Sequence, residues 1–479
     1  MPTFHAEPYV YLPALTHKSA LVAWGAFYFR VTDKGKWKLI DDVDLEYIHP
    51  PRKDSIGAQS APYGPARVEV YDKAGVCVQA ATTVATNHCW VTGLSPSTEY
   101  TYKVFVKGDE WARGDRWDWS AEKKALVDAG NRYTNRFETY PDPHQSAASL
   151  TFAVIGDFGV GVKRSGPDRR QQQVANALRR AVETEGVRLI ITTGDNIYAG
   201  SKLLGIPIGE TGREDDDWFF TYFQPYRYII NQIPVYPSIG NHDADESEDR
   251  DDRGQVEDNF YIAERLSGEE AAGRASFGPG LFYRFRYGAD IEFICLDTSK
   301  EGFFRDHRLF EFPKHWTFVE AAFPPSPQNP AEAGSHVPGA PAAPPRWRIP
   351  FTHHPPFSAG PRHHNTKDMA RLLPLFERSG VKVVFSGHEH NFQHSRTDGI
   401  HYFVSGGAGK VRSGAPDRFD EARTQSWSAQ CHFLLAHIEH DRMAVRAIGE
   451  IAAPDGPLVE IDRRDAGGQP VAGPMTIEL

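Results

Sequence analysis

Cysteine is scarce in this chain, with four among 479 residues: Cys77, Cys89, Cys295 and Cys431. That excludes a disulfide-built scaffold, and no Cys-X-X-Cys pair offers a structural zinc site. Cys77 and Cys89 are near enough in sequence to pair, but buried reduced thiols are the simpler expectation, with Cys295 inside an apolar run. No stretch approaches the ~18 apolar residues of a membrane-crossing helix, so no membrane partner is expected. Basic residues are in deficit, 53 Lys and Arg against 63 Asp and Glu, which leaves no electrostatic footprint for nucleic acid. The start, Met1-Pro-Thr-Phe-His, lacks the basic residues and apolar core of a leader. A cytoplasmic location, or export with the leader already removed, both remain open. No internal repeat is visible.

Glycine and proline are plentiful, 42 and 35, and predict many turns and long loops. Hydrophobic residues at 40% and charged residues at 24% are those of a globular protein, and the length calls for two or three domains.

The most informative stretch is 152–198. It opens with Phe152-Ala-Val-Ile-Gly156-Asp157-Phe158-Gly159 and closes with Leu189-Ile-Ile-Thr-Thr-Gly194-Asp195-Asn196-Ile197-Tyr198. Each half is a β-branched apolar run that stops at Gly-Asp. Between them Val174, Leu178, Ala181 and Val182 recur at helical spacing over 171–185, so the stretch predicts strand, helix, strand. Side chains just past strand ends in such a unit gather at one edge, where ligands bind.

Three more strands end in polar residues suited to a metal. One ends in Gly240-Asn241-His242-Asp243, one in His353 and His354 before Pro355, and one in Gly387-His388-Glu389-His390. A lone Gly-Asp after a strand is ordinary turn chemistry. Five endings rich in Asp, Asn and His point instead to one metal centre.

Residues 1–145 read as all-β. The run 19–31 is a strand carrying Trp24, and 66–72 alternates cleanly between apolar and polar residues. Leu94-Ser-Pro96-Ser-Thr98-Glu-Tyr100 resembles the Leu-X-Pro-X-Thr-X-Tyr turn of fibronectin type III domains, where the tyrosine hydroxyl bonds backbone. A strand over 135–140 and the linker Pro141-Asp-Pro143 close this part. The Trp-rich segment 111–119 is expected as an ordered loop, with carbohydrate binding a lesser option. A catalytic domain then covers 149–455, and 456–479 is expected as a surface tail. Within it, 218–230 is a helical candidate, and 281–287 with 290–298 a strand pair. The loop 199–217 and the Pro-Ala-Gly-rich insertion 324–345 look individual to this chain. The segment 243–252 holds seven acidic residues in ten, either a solvated loop or a rim that disfavours large polyanions.

Together these blocks resemble the calcineurin-type metallophosphoesterases, and among them the purple acid phosphatases. The matching residues are Asp157-Phe-Gly159, Gly194-Asp195-Asn-Ile-Tyr198, Gly240-Asn241-His242-Asp243, His353 and Gly387-His388-Glu-His390. Pro350 departs from the family, which has an aliphatic residue there, and threatens a strand hydrogen bond more than the chemistry. Gly159 stands where most metallophosphoesterases have a ligand histidine, and Tyr198 is the extra donor of the purple subgroup.

The resemblance implies an α/β (α+β) metallophosphoesterase β-sandwich flanked by helices, preceded by an all-β fibronectin III-like sandwich. It implies that Asp157, Tyr198 and His390 bind Fe(III), that Asn241, His353 and His388 bind a divalent ion (Fe, Zn or Mn), and that Asp195 bridges the two. A metal-bound hydroxide would attack phosphorus, with His242 as acid or charge stabiliser. His363 and His364 resemble substrate-facing histidines of the family, against the alternative of an exposed loop pair. His354 is expected to be a neighbour without a metal role, and His401 and His432 to be core or surface residues.

The leading expectation is therefore a phosphatase for small phosphate monoesters. The alternatives are a phosphodiesterase or phosphoanhydride hydrolase on the same centre and, from another class, an inert binding protein. Oligomeric state, the second metal and the pH optimum stay open.

Overall fold

The computed structural model describes residues 3–40, 62–112, 117–163, 169–198, 202–203, 206–207, 218–243, 256–265, 281–299, 313–326 and 344–479. Most of the loop 199–217, the acidic run 244–252, the centre of the Pro-rich insertion (327–343) and residues 113–116 lie outside the described residues.

Among the described residues before 140 every regular element is a strand, as the alternating patterns require. One antiparallel sheet contains Thr3–Leu15, Ser19–Val31, Trp37–Leu39 and His88–Thr92, and a second is built on Ala66–Tyr71, Cys77–Thr83, Glu99–Val106 and Arg136–Glu138. In the turn before Glu99–Val106 the Tyr100 hydroxyl accepts the Ser95 N–H at 3.0 Å, pinning that corner to the backbone.

The first of these sheets packs directly on the segment 219–230. Leu12 N–H donates to Ile230 C=O at 2.8 Å, and Tyr9 and Phe27 pack on Phe223 with ring centroids 4.3 and 5.2 Å away. Beneath them Glu7 and Arg227, both 2% exposed, form an ion pair at 2.6 Å.

The rest of the chain is organised on two sheets. The six-stranded one runs Val235–Tyr236, Val187–Thr192, Ser149–Ile155, His432–Glu439, Arg442–Gly449, Met475–Glu478. Its first three strands are parallel, with the helix Arg170–Thr184 as the expected crossover burying Val174, Leu178, Ala181 and Val182. The nine-stranded sheet carries Ile291–Leu296, Trp347–Thr352, Val383–Ser386 and Ile400–Ser405 in parallel. Aromatic rings join the sheets: Phe152 meets Phe293 and Phe385 edge-on at 5.1 and 5.9 Å, and Tyr236 stacks on Phe285 at 3.8 Å. This places the carboxyl ends of both sets of parallel strands at one shared edge.

Pro350 lies inside Trp347–Thr352 opposite Ile294, and the ladder on the other side contracts to the single pair Phe351↔Phe385. That is how a strand accommodates a missing N–H.

Two expectations change. The helix expected over 218–230 is a π-helical turn, Phe219–Phe223, followed by the short helix Gln224–Tyr226. Pro225 cannot donate to the Thr221 carbonyl, which accepts from Gln171 Nε2 at 2.5 Å instead. The surface tail expected over 456–479 is woven into both sheets: Met475–Glu478 pairs with Arg442–Gly449, and Arg463–Arg464 pairs with Trp427. The alternation in Met475-Thr-Ile477-Glu, with Met475 and Ile477 buried, is the strand signal.

Candidate metal centre

All five strand endings meet at that edge. Asp157 follows Ser149–Ile155, Asp195 follows Val187–Thr192, Asn241 and His242 follow Val235–Tyr236, His353 follows Trp347–Thr352, and His388 and His390 follow Val383–Ser386. The oxygen-bearing residues Asp157, Asp195, Tyr198 and Asn241 come from the six-stranded sheet. The three histidines come from the nine-stranded one.

The turns that deliver them are strained. Asp157, Asp195 and His388 have φ of 54°, 51° and 72°, in the left-handed region that side chains disfavour. The glycines beside them are set by space: a Cβ on Gly240 would come within 2.1 Å of Asp195 Oδ1. A Cβ on Gly159 would meet Asn196 O at 2.3 Å, so the ligand histidine that most metallophosphoesterases carry there has no room.

Two groups of donors converge. In the first, His353 Nδ1 bonds Thr193 C=O at 2.8 Å, which fixes its proton on Nδ1 and turns the Nε2 lone pair inward. There Nε2 meets Asn241 Oδ1 at 2.9 Å, His388 Nδ1 at 3.1 Å and Asp195 Oδ1 at 3.6 Å. Four such atoms converging in a buried site suit a cation. In the second, the Tyr198 hydroxyl lies 3.3 Å from Asp157 Oδ1 and 3.4 Å from His390 Nε2, with His390 Nε2 and Asp157 Oδ1 3.4 Å apart. Asp157, Asp195 and His353 also stand close enough together to share an ion. This donor set of carboxylates, imidazoles, an amide oxygen and a phenol fits two adjacent metal ions.

Electrostatics agree. Burial and the neighbouring Asp195 raise Asp157 above the carboxylate range. Burial also works to raise Asp195, but His353 and His242 outweigh it and hold Asp195 below. Burial would lower His353, yet Asp195 and Asp157 keep it above its ordinary value. His388 and His390 are pushed far down by burial and stay neutral, as ligands must be. Burial beside Asp157 and Asp195 raises the Tyr198 phenol well above its usual range.

Around the convergence point the other expected residues separate. The half-buried His242 donates its backbone N–H to Asp195 at 3.0 Å and sets its ring 4.5 Å from that of Tyr198. His363 stacks on His388 at 3.9 Å, inside the site. His364 is bonded to Asp417 at 2.9 Å instead. His354 leans on His388 at 4.4 Å with Nδ1 on Thr298 Oγ1, while His394 and His401 pair with each other and His432 bonds Gln430 C=O and Ser405.

Four residues escaped the sequence reading as site residues. Asp243 is fully buried and accepts N–H groups from Asn196, Ile197 and Gly240. Glu389 is buried between two histidines of the cluster. Lys410 places its ammonium 3.5 Å over the Tyr198 ring, and Arg412 reaches His363 Nε2 at 3.5 Å. The glycine run Gly406-Gly407-Ala408-Gly409 after the strand Ile400–Ser405 was a usable signal for the last two.

The profile of the family described as calcineurin-like phosphoesterase matches residues 150–392. Purple acid phosphatase 4 of Arabidopsis thaliana is 29% identical over 56% of this chain and 70% of its own. Tartrate-resistant acid phosphatase type 5 of Homo sapiens is 25% identical over 60% of this chain and 79% of its own. Among solved structures, the fold is shared with purple acid phosphatase PPD1 from yellow lupin (Lupinus luteus), TM-score 0.52 at 15% identity, over 100% of this chain and 74% of that one. It is shared also with PhoD, TM-score 0.60 at 13% identity, over 97% and 91%. The chain belongs to the calcineurin-like phosphoesterase family and is a phosphoesterase whose relatives include purple acid phosphatases.

Proposed function

We propose that this enzyme hydrolyses small phosphate monoesters on a dinuclear centre. Asp157, Tyr198 and His390 would hold one ion, Asn241, His353 and His388 the other, and Asp195 would lie between them. The observation that carries the reading is the buried convergence of His353 Nε2 with Asn241 Oδ1 at 2.9 Å, His388 Nδ1 at 3.1 Å and Asp195 Oδ1 at 3.6 Å. Bound there, the ions supply Lewis acidity that activates water and neutralises charge on the phosphoryl group.

The chain's own side chains do the rest. Tyr198 offers a hard phenol oxygen, the donor type that suits a trivalent ion. His242, beside the cluster and bound to Asp195 through its backbone, is placed to protonate the departing alkoxide or steady charge on the phosphoryl oxygens. His363 is the better second candidate for a phosphoryl contact, since His364 is held by Asp417. The phosphodiester and phosphoanhydride reading uses the same centre, and comparing an aryl phosphate with a bis-aryl phosphate diester decides it.

The direct test is a visible absorption spectrum of the metal-replete protein and of Tyr198→Phe, with elemental analysis of both. A band lost in the variant places a phenolate on iron(III). A colourless, active protein with two other ions removes the iron and keeps the phosphoesterase. An Asp195→Ala protein that still turns over would remove the dinuclear assignment.

A further inference from the structure

The middle residue of Gly387-His388-Glu389-His390 has no part in the proposed reaction, yet its carboxylate is fully buried beside the centre. Glu389 Oε2 accepts the backbone N–H of His363 at 2.6 Å and of Arg362 at 3.3 Å, and Oε1 forms an ion pair with Arg412 Nε at 3.3 Å. Three segments therefore meet on one side chain: the strand end bearing His388 and His390, the loop 358–364 bearing His363, and the glycine-rich loop that ends at Arg412. Arg412 is tied to the same strand end a second time, donating its N–H to His390 C=O at 2.8 Å.

The loop 358–364 has further anchors: Ser358 Oγ donates to His363 C=O at 2.5 Å, and His364 bonds Asp417 at 2.9 Å. Asn391 and Gln393 amides donate to Gly360 C=O at 3.0 Å each, and Gln393 Oε1 accepts the Ala359 N–H at 2.8 Å. Nothing in that group reaches the backbone N–H of His363. The N–H of His363, whose ring stands 3.9 Å from His388, is taken by the carboxylate of Glu389.

We propose that Glu389 is a positioning residue for the substrate side of this centre, holding His363 and Arg412 together so that both face a phosphoryl group bound beside His388. This rests on the proposed dinuclear phosphatase site. A carboxylate is suited to the task because one oxygen accepts the loop N–H groups while the other sets its charge beside the guanidinium. A glutamine of the same shape offers one accepting oxygen and turns an NH2 on either the loop or Arg412.

The test is a double-mutant cycle between Glu389→Gln and His363→Ala, which separates action through His363 from independent damage. The readings are kcat and KM for an aryl phosphate, the Kd of inorganic phosphate by calorimetry, and metal content. Glu389→Gln should lower kcat/KM and weaken phosphate binding by about tenfold or more with both ions retained, the order expected when a partner holding a site residue is lost. In the His363→Ala background it should cost clearly less than in the wild type, the remainder being the share carried through Arg412. Losses that multiply, unchanged phosphate affinity, or loss of metal in Glu389→Gln would each overturn the proposal. Should Glu389→Gln not fold, Glu389→Asp, which keeps the charge but draws both oxygens back by one methylene, enters the same cycle with the same outcomes. A wild-type protein that binds neither metal nor phosphate would remove the phosphatase site and this inference with it.

Discussion

Replacing Asp243 by asparagine tests how firmly the metal edge is held from behind. Asp243 is fully buried. Its Oδ1 accepts the N–H of Asn196 at 2.9 Å and of Ile197 at 3.1 Å, and its Oδ2 accepts Asn196 Nδ2 at 2.8 Å and Gly240 N–H at 2.9 Å. Burial and Asp195 raise its pKa, while these donors pull it back. Asparagine keeps one accepting oxygen and sets an NH2 against the other two donors. Two bonds to a charged acceptor are lost, at about 1.5–3 kcal/mol each, so the cost is about 3–6 kcal/mol. The damage is local, because Asn196 and Ile197 lie between Asp195 and Tyr198, and Gly240 precedes Asn241. Metal affinity should fall by about 10–100-fold, as for other partners that orient ligands. Urea unfolding of the metal-free protein measures the first quantity, and a chelator-competition titration the second. A cost under about 1 kcal/mol with unchanged affinity would refute the reasoning.

Two further outcomes concern other parts of the molecule. Asp157 is held above the carboxylate range, so its contribution to the stability of the metal-free fold is present below pH ~4 and is lost as rising pH forces it to ionise. Asp195 is held low and changes only at more acidic pH, so it does not offset this. The thermal midpoint of metal-free Asp157→Asn should therefore gain on that of the metal-free wild type as pH climbs from ~4 toward neutrality, and a constant difference would contradict the assignment. Glu7→Gln leaves the Arg227 guanidinium buried without its charged partner at 2.6 Å and should cost about 3–5 kcal/mol in urea unfolding. A loss below about 1 kcal/mol would show that Asp118, 3.7 Å away, compensates.

The strand endings were legible because each couples an apolar β-branched run to Gly and a polar residue, and both signals are local. Helix Arg170–Thr184 was legible for the same reason. What the sequence hid is long-range. Nothing in Ser149–Ile155 announces that its other neighbour is His432–Glu439, almost three hundred residues on. Asp243 was visible inside its motif, but its purpose lies in four donors, of which three belong to the distant turn at Asn196 and Ile197. His363 and His364 looked equivalent until Asp417, over fifty residues away, took one of them. The 218–230 segment misled because Pro225 hands the Thr221 carbonyl to Gln171, a partner that periodicity cannot reveal.

The division of donors between the sheets carries a consequence of its own. In the proposed assignment each ion would be gripped by oxygen from one sheet and nitrogen from the other, so the ions act as rivets across a seam. Away from that edge, side-chain packing such as Phe152 against Phe293 and Phe385 and Tyr236 against Phe285 helps set how the two plates align. A change at those rings, none of which touches the centre, would shift one plate against the other by a fraction of a bond length. It would surface as leaking metal in a chain that still folds, and a genetic screen would misfile it as a ligand mutant.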